Sequence, residues 1–386
     1  MAIVVLGAGR VGSLIANELE REHPGKVLVY DASTHSLEKL KRVPGDRRRQ
    51  VDLSDLSVLS SLISEEDLVV NALPGSLGFE VLERLVFLGA RGVDIAFFEQ
   101  DPRPLDSKAQ ESGAAFVYDC GVAPGMSNMI VGRAAEVFDE VSKVMIVVGG
   151  LPKVRIWPHE YKAVFSPSDV IEEYVRPARL VRGGREVVLP ALSEPEFLDF
   201  DRLGTVEAFN TDGLRSLIHT VSAQDMAEKT LRYPGHREKM LFLREAGFFR
   251  QDPISTESDL SILDVTSRIL FADWQLKPGE ADVTVMRVSI EGTLNGNSVS
   301  VVASLYDEFD AQEGVTSMAR TTGLTACAVL DLIVSHQYAP KGIEPPEILG
   351  KSGRLLREVL AFQKKRGVSY DFQFSGVQAE DFWSVS

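Results

Sequence analysis

Gly7-Ala8-Gly9-Arg10-Val11-Gly12 follows a short apolar run, Ala2–Leu6, and opens a segment in which Val11, Leu14, Ile15 and Leu19 recur at helical spacing. A glycine loop between a strand and a helix is an anion site, because the first helical N–H groups lack partners and the helix dipole turns its positive end towards the loop. Gly7 serves the tight turn, Gly9 lets a ligand approach the backbone, and Gly12 lets the helix pack close to the strand. Ala8, Arg10 and Val11 supply the backbone between them. Asp31 follows the next strand, Lys26–Tyr30. A carboxylate there accepts from a ribose 2′-OH and repels a 2′-phosphate. Ala32–Leu37 contains no Arg or Lys. The pattern predicts a dinucleotide site, with NAD favoured over NADP.

Other groups stand where strands end. Asn71-Ala72-Leu73-Pro74-Gly75 closes one strand, and loops at such ends line the ligand crevice of a parallel sheet. Ala72, Leu73 and Pro74 are therefore expected beside the nicotinamide ribose, the plainer reading being a strand-to-helix turn. Asp94 follows Arg91–Val93 and Asp119 follows Ala115–Tyr118. Each is either a proton acceptor in the crevice or a turn cap. Gly121-Val122-Ala123-Pro124-Gly125-Met126 leads into an apolar helix. It brings N–H groups near a ligand, or it is a simple capping turn. Arg232, Arg215 and Arg176 offer guanidinium forks that match a carboxylate, and a surface salt bridge is the other reading of Arg176. His236 opens a helical pattern as a substrate or proton-transfer contact, or as a helix-end residue. The histidines and cysteines show no metal-ligand spacing, so no metal is expected.

The first 120 residues alternate strand patterns with helical ones: Gln50–Leu53, Leu68–Ala72, Arg91–Ile95 and Ala115–Tyr118 as strands, and Leu56–Ile63, Gly78–Leu88 and Leu105–Glu111 as helices. This predicts an α/β fold, a Rossmann doubly wound parallel sheet. Beyond it the pattern changes to hairpins mixed with helices. Gly183-Gly184 and Asn295-Gly296-Asn297 each separate two strand-like runs. A chain of 386 residues exceeds one ordinary core. The expected division is 1–125 as the nucleotide domain and 126–335 as an α+β substrate and dimerisation domain. Residues 336–386 are expected to pack back on the first domain.

The net charge of −15 disfavours nucleic acid and anionic membranes as partners. Two cysteines, Cys120 and Cys327, cannot frame a disulfide scaffold, which fits a cytoplasmic setting. No leader pattern is visible, and the apolar stretch Thr325–Val334 is short and interrupted by Asp331. Strand edges in the second domain favour a homo-oligomer, expected to be a dimer.

Gly7–Gly12, Asn71–Gly75, and above all Asp119-Cys120-Gly121-Val122-Ala123-Pro124-Gly125-Met126-Ser127-Asn128, resemble the saccharopine dehydrogenase family. So do Val148–Pro152, Arg176–Ala178, Leu192–Glu194, Glu207–Phe209 and Thr230–His236. The later motifs are most similar to its L-lysine 6-dehydrogenase branch. The resemblance implies NAD-dependent oxidation of the lysine side-chain amine to the semialdehyde, which cyclises to piperideine carboxylate, with loss of ammonia. It places Gly121–Met126 at the nicotinamide pocket and Arg232 on a substrate carboxylate. An amine must lose a proton before it gives up hydride, and Asp94 or Asp119 is the expected acceptor. Part of the lysine branch lacks an Arg at the position of Arg215. A second guanidinium there suits a second carboxylate, as on saccharopine, so saccharopine is the alternative substrate. A non-catalytic NAD-binding sensor on the same fold is the other class of reading.

Overall fold

The computed structural model describes residues 1–164, 167–255, 259–277 and 279–384. It divides into two compact units, each with its own sheet. The first contains Met1–Arg133, Ala319–Ser369 and the chain from Phe382 onward. The second contains Ala134–Met318 and Tyr370–Asp381. Residues 319–335, assigned from the sequence to the second domain, thus belong to the first unit. Residues 336–386 are shared: the helix Gly353–Lys364 lies in the first unit and the strand Tyr370–Ser375 in the second.

The sheet of the first unit is built from β1 (Ile3–Leu6), β2 (Val27–Asp31), β3 (Arg48–Gln50), β4 (Leu68–Asn71), β5 (Arg91–Asp94) and β6 (Ala115–Val117), with Gly342–Glu344 added at one edge. All pairings are parallel, in the order Gly342–Glu344, β6, β5, β4, β1, β2, β3. The parallel, doubly wound α/β reading holds. Continuous burial of Ile3–Leu6 and Leu68–Asn71 fits strands covered on both faces. Register sets the site: Leu6 lies beside Tyr30 and Asn71, and Asn71 beside Asp94. Gly7, Asp31, Asn71 and Asp94 therefore end neighbouring strands at the carboxyl edge.

Two local expectations fail for identifiable reasons. The strand expected at Gln50–Leu53 lies at Arg48–Gln50, because Asp52 turns the chain by accepting from the backbone N–H of Ser54. The helix expected over Leu56–Ile63 is a 3₁₀ turn, Leu56–Val58, and one α turn, Leu59–Leu62. Ser60 and Ser61 hydroxyls bond back to the carbonyls of Ser57 and Val58, the competition that makes serine a poor helix interior. The helix Ser317–Val334 is long and apolar enough to cross a bilayer, contrary to the shorter stretch read from the sequence, yet 72% of it is buried within the protein. It packs on Arg10–Glu22 through Gly323, where an added Cβ would lie 2.4 Å from Leu14.

The second unit holds a nine-stranded mixed sheet. Its strands are β7 (Glu140–Pro152), β8 (Ala178–Arg182), β9 (Arg185–Leu189), β10 (Glu196–Phe200), β11 (Gly204–Asn210), β12 (Ala223–Arg232), β13 (Asp282–Leu294), β14 (Asn297–Glu308) and Tyr370–Ser375. Both expected hairpins are present, as β8–β9 and β13–β14. No strand is expected from sequence pattern at β12, which lies between β11 and β7 and buries Glu228, Lys229, Thr230 and Arg232. Polar residues on a central strand erase the apolar run by which such strands are read.

Candidate active site

In the first unit the glycine loop has three environments. Gly7 has φ +97° and donates to Tyr30 O at 2.8 Å. An added Cβ at Gly12 would lie 2.1 Å from Gly7 O, whereas at Gly9 no atom lies within 4 Å of that position. Gly9 also ends the helix Arg10–Glu22 without a side-chain cap. Strain and packing thus account for Gly7 and Gly12, and Gly9 leaves open space before a helix N-terminus, the geometry a pyrophosphate needs. The Asp31 carboxylate accepts from Ala8 N at 2.6 Å and from Ser33 N at 2.7 Å. A carboxylate has about four lone-pair positions, so two remain for ribose hydroxyls. Arg48, opposite Val29 of β2, spends its guanidinium on Leu37 O and Val43 O, while Arg49, opposite Tyr30, is exposed.

The Asn71 side chain joins two strand ends. Its Nδ2 donates to Gly78 O at 2.9 Å and to Asp94 Oδ2 at 2.5 Å. The other Asp94 oxygen accepts from Ala96 N at 2.8 Å. Asp94 is fully buried, and both its oxygens are held by protein. Asp119 follows β6 in left-handed conformation, φ +51°, and is also buried. Cys120 lies between the two acids: its N–H bonds to Asp94 O, and burial, then Asp94 and Asp119, push its thiol well above the usual range. The two candidate acids are therefore neighbours. The loop after them doubles back, with Gly121 N on Pro124 O and Met126 N on Gly121 O. Gly125 has φ +134°, and a Cβ there would meet Gly121 O at 1.8 Å. Asn128 accepts from Gly125 N at 3.3 Å and from Ser127 Oγ at 3.1 Å, and donates to Glu347 at 3.2 Å. Ala72 backs the glycine loop, its carbonyl 2.7 Å from an added Gly7 Cβ, and Leu73 touches the same point.

In the second unit Arg232 ends β12 and is buried. Its Nη2 lies 2.5 Å from Glu173 Oε2, Nη1 donates to Leu231 O at 2.9 Å, and Nε donates to Tyr174 OH at 3.2 Å. The guanidinium also sits 4.6 Å from the centre of the Tyr161 ring. His236 is buried, with Nδ1 2.8 Å from His159 O and Nε2 3.0 Å from Tyr174 OH. A carbonyl only accepts, so Nδ1 carries the proton, Tyr174 donates to Nε2, and the Tyr174 oxygen receives Arg232. Burial and then Arg232 lower the imidazole pKa to about 3, so the ring is neutral. With both nitrogens on protein atoms, His236 orients Arg232 through Tyr174 rather than offering a nitrogen to a ligand.

Arg215 lies elsewhere in the same unit, buried and at φ +53°, within electrostatic range of Arg179, which forms an ion pair with Asp212 at 2.8 Å. Arg176 pairs with Glu172 at 3.8 Å on its own helix. Glu228 is buried and accepts from Thr211 at 2.5 Å. Burial pushes its carboxyl up to about 8. Among the described residues no three His, Cys, Asp or Glu side chains gather as a metal set.

Two family models together account for nearly all of this architecture. Residues 3–117 match the saccharopine dehydrogenase NADP binding domain, and residues 121–368 match the saccharopine dehydrogenase C-terminal domain. The chain belongs to the saccharopine dehydrogenase family. Relatives in this family include the mitochondrial alpha-aminoadipic semialdehyde synthase of Bos taurus, 21% identical over 96% of this chain and 47% of that protein. The NADP(+), L-glutamate-forming saccharopine dehydrogenase of Saccharomyces cerevisiae is 23% identical over 65% of this chain and 59% of that protein. The chain thus spans about half the length of the curated relatives it matches. Among solved structures, the apo L-Glu-forming saccharopine dehydrogenase of Saccharomyces cerevisiae superposes with a TM-score of 0.79 at 16% identity, covering 97% of this chain and all of that one. Homospermidine synthase of Legionella pneumophila, in complex with NAD, gives 0.65 at 12%, over 96% and 91% of the two chains. At these identities the likeness to solved structures is one of fold.

Sequence inspection missed Glu173, Tyr174 and Glu347, and assigned no role to the Asn71 side chain. Asn71 had a local signal, since it heads the Asn-Ala-Leu-Pro turn. Glu173 and Tyr174 lie 59 and 58 residues from Arg232, and Glu347 lies 219 from Asn128, distances over which spacing carries no information.

Proposed function

We propose that this family member is an NAD-dependent dehydrogenase that oxidises the side-chain amine of L-lysine. The overall change is RCH₂NH₃⁺ + NAD⁺ + H₂O → RCHO + NADH + NH₄⁺ + H⁺, and the semialdehyde then cyclises to piperideine-6-carboxylate. The observation that carries this reading is the meeting of Asp94 and Asp119 at the ends of β5 and β6, beside the Gly121–Met126 loop. The ammonium ordinarily holds its proton to about pH 10, so oxidation at neutral pH needs an acceptor beside it. Both Asp94 oxygens already hold protein donors. We assign the proton role to this pair of acids, Asp94 and Asp119, with Asn71 holding Asp94 in place.

Bound NAD supplies the hydride acceptor. The residues fit it: open backbone at Gly9 for the pyrophosphate, Asp31 for the ribose diol, and Val122, Pro124 and Met126 on the nicotinamide side. NAD rather than NADP is supported by Asp31, whose charge repels a 2′-phosphate. Arg232 takes the substrate carboxylate, oriented by Tyr174 and His236. The exposed edge strands of the nine-stranded sheet support self-association, which we propose as a dimer.

Arg215 favours a second reading, in which it holds a second carboxylate and saccharopine is the substrate. NADH absorbance with L-lysine or saccharopine separates the two. NADH and ammonia from L-lysine support the first; NADH and glutamate from saccharopine alone overturn it. With the true substrate, Asp119→Asn lowers kcat by about 10²–10⁴-fold.

A further inference from the structure

Arg232 is approached past Glu173. The Leu231 carbonyl, the Tyr174 hydroxyl and the Tyr161 ring close off Nη1, Nε and one face of the guanidinium. The Nη2 edge carries the Glu173 carboxylate, and of the two side chains Arg232 is 2% exposed and Glu173 17%. The acid is thus the member of the pair that faces outward. The surroundings are aromatic and closely packed: the rings of Tyr161, Tyr174, His236 and Trp274 have centres 4.9 to 6.4 Å apart. Within this aromatic cluster an ion pair adds little stability over apolar residues of the same size, because desolvation offsets the attraction. Among the described residues the buried indole Nε1 of Trp274 has no hydrogen-bond partner, a further cost that packing alone does not explain.

We propose that Glu173 and Arg232 together form a receptor for an α-amino-acid head, Arg232 taking the carboxylate and Glu173 the adjacent ammonium. The proposal rests on the reading of Arg232 as the group that meets the substrate carboxylate, and it deepens that reading to a substrate class. Charge balance makes the argument. Arg232 and Glu173 sum to zero, and so does a zwitterionic head, so the occupied site buries no net charge. A ligand with a carboxylate alone reaches Arg232 beside an uncompensated Glu173 and is repelled. A diamine without a carboxylate leaves Arg232 with no new partner and adds a buried positive charge. The site therefore discriminates for both halves of the head group, and Glu173 is the residue that rejects simple ω-amino acids.

The test is calorimetric titration of the full chain, loaded with NADH so that no turnover occurs, with L-lysine, 6-aminohexanoate and cadaverine. All three keep the terminal amine; the second lacks the α-ammonium and the third lacks the carboxylate. The expected result is binding of L-lysine at least ~30-fold tighter than either. In Glu173→Gln, lysine affinity falls about 30-fold, while 6-aminohexanoate binds as before or more tightly. Equal binding of lysine and 6-aminohexanoate by the unaltered protein overturns the proposal, and that comparison needs no variant to fold. Unchanged discrimination in Glu173→Gln overturns it too. Glu173→Asp, which keeps the charge, restores part of the preference for lysine. Oxidation of lysine together with equal binding of 6-aminohexanoate defeats the proposal alone. Absence of NADH formation from both lysine and saccharopine defeats the reading beneath it.

Discussion

The nucleotide end of the first unit and the Arg232 cluster of the second are built from different materials. The first is mostly backbone: three glycines, a helix N-terminus, and a carboxylate held by two N–H groups. The second is mostly side chains drawn from distant parts of the chain, with Arg232, Glu173, Tyr174, Tyr161, His236 and Trp274 in mutual contact. A backbone site separates binding from stability, since the groups that meet the ligand are already satisfied by the fold or stand in open space. A side-chain site of buried charges does not, because each group stabilises its neighbour.

Arg232→Met offers the largest expected effect. It leaves Glu173 buried without its partner and costs about 3–5 kcal/mol, seen as a lower denaturation midpoint. It also raises the KM of the carboxylate-bearing substrate, so stability and binding fall together. A variant that loses binding with an unchanged midpoint would break the contrast between the two regions.

Gly9→Val comes next. No atom lies within 4 Å of the new Cβ, so the melting temperature should stay close to that of the parent. NADH affinity, read by fluorescence, should fall at least ~10-fold, because the side chain occupies the space of the pyrophosphate. Gly12→Val sharpens the point: its Cβ would lie 2.1 Å from Gly7 O, so it loses stability and NADH binding together.

A pH dependence tests the second unit separately. The Glu228 carboxyl, ordinarily near 4.5, is raised to about 8 by burial. The native state therefore holds a proton that the unfolded chain releases between those values. Its contribution to stability is fully present below pH 4.5 and is lost as pH rises towards 8. Glu228→Gln removes this decline, so denaturation midpoints measured from pH 5 to 8 should flatten. His236, lowered to about 3, acts in the opposite direction below pH 6.5, where only the unfolded chain takes up its proton. The acid limb should therefore persist in the Gln variant.

How much was legible in the sequence follows the same contrast. Short-range patterns fixed β1, the glycine loop, the helix Arg10–Glu22 and Asp31, because strand, turn and helix are consecutive and each residue has a local reason. The β8–β9 and β13–β14 hairpins were readable for the same cause, a turn dipeptide between two runs. The pairing of Asp94 with Asn71 was not, since parallel neighbours are joined by a helix rather than a turn, and nothing local sets their register. Nor was the occupation of both His236 nitrogens, which turned a presumed ligand contact into a support for Arg232.

By itself, then, the sequence determined a doubly wound nucleotide domain, the positions of its glycines and Asp31, and the family motifs around Asp119–Asn128. Only the tertiary structure decided that Asp94 and Asp119 converge on Cys120, that Glu347 holds the Gly125 loop through Asn128, and that Glu173 pairs with Arg232. The physical reason is range. Backbone conformation depends on residues a few positions apart, whereas a buried charge is satisfied by whatever the packing of remote segments brings to it, and that choice is written in the whole core rather than in any motif.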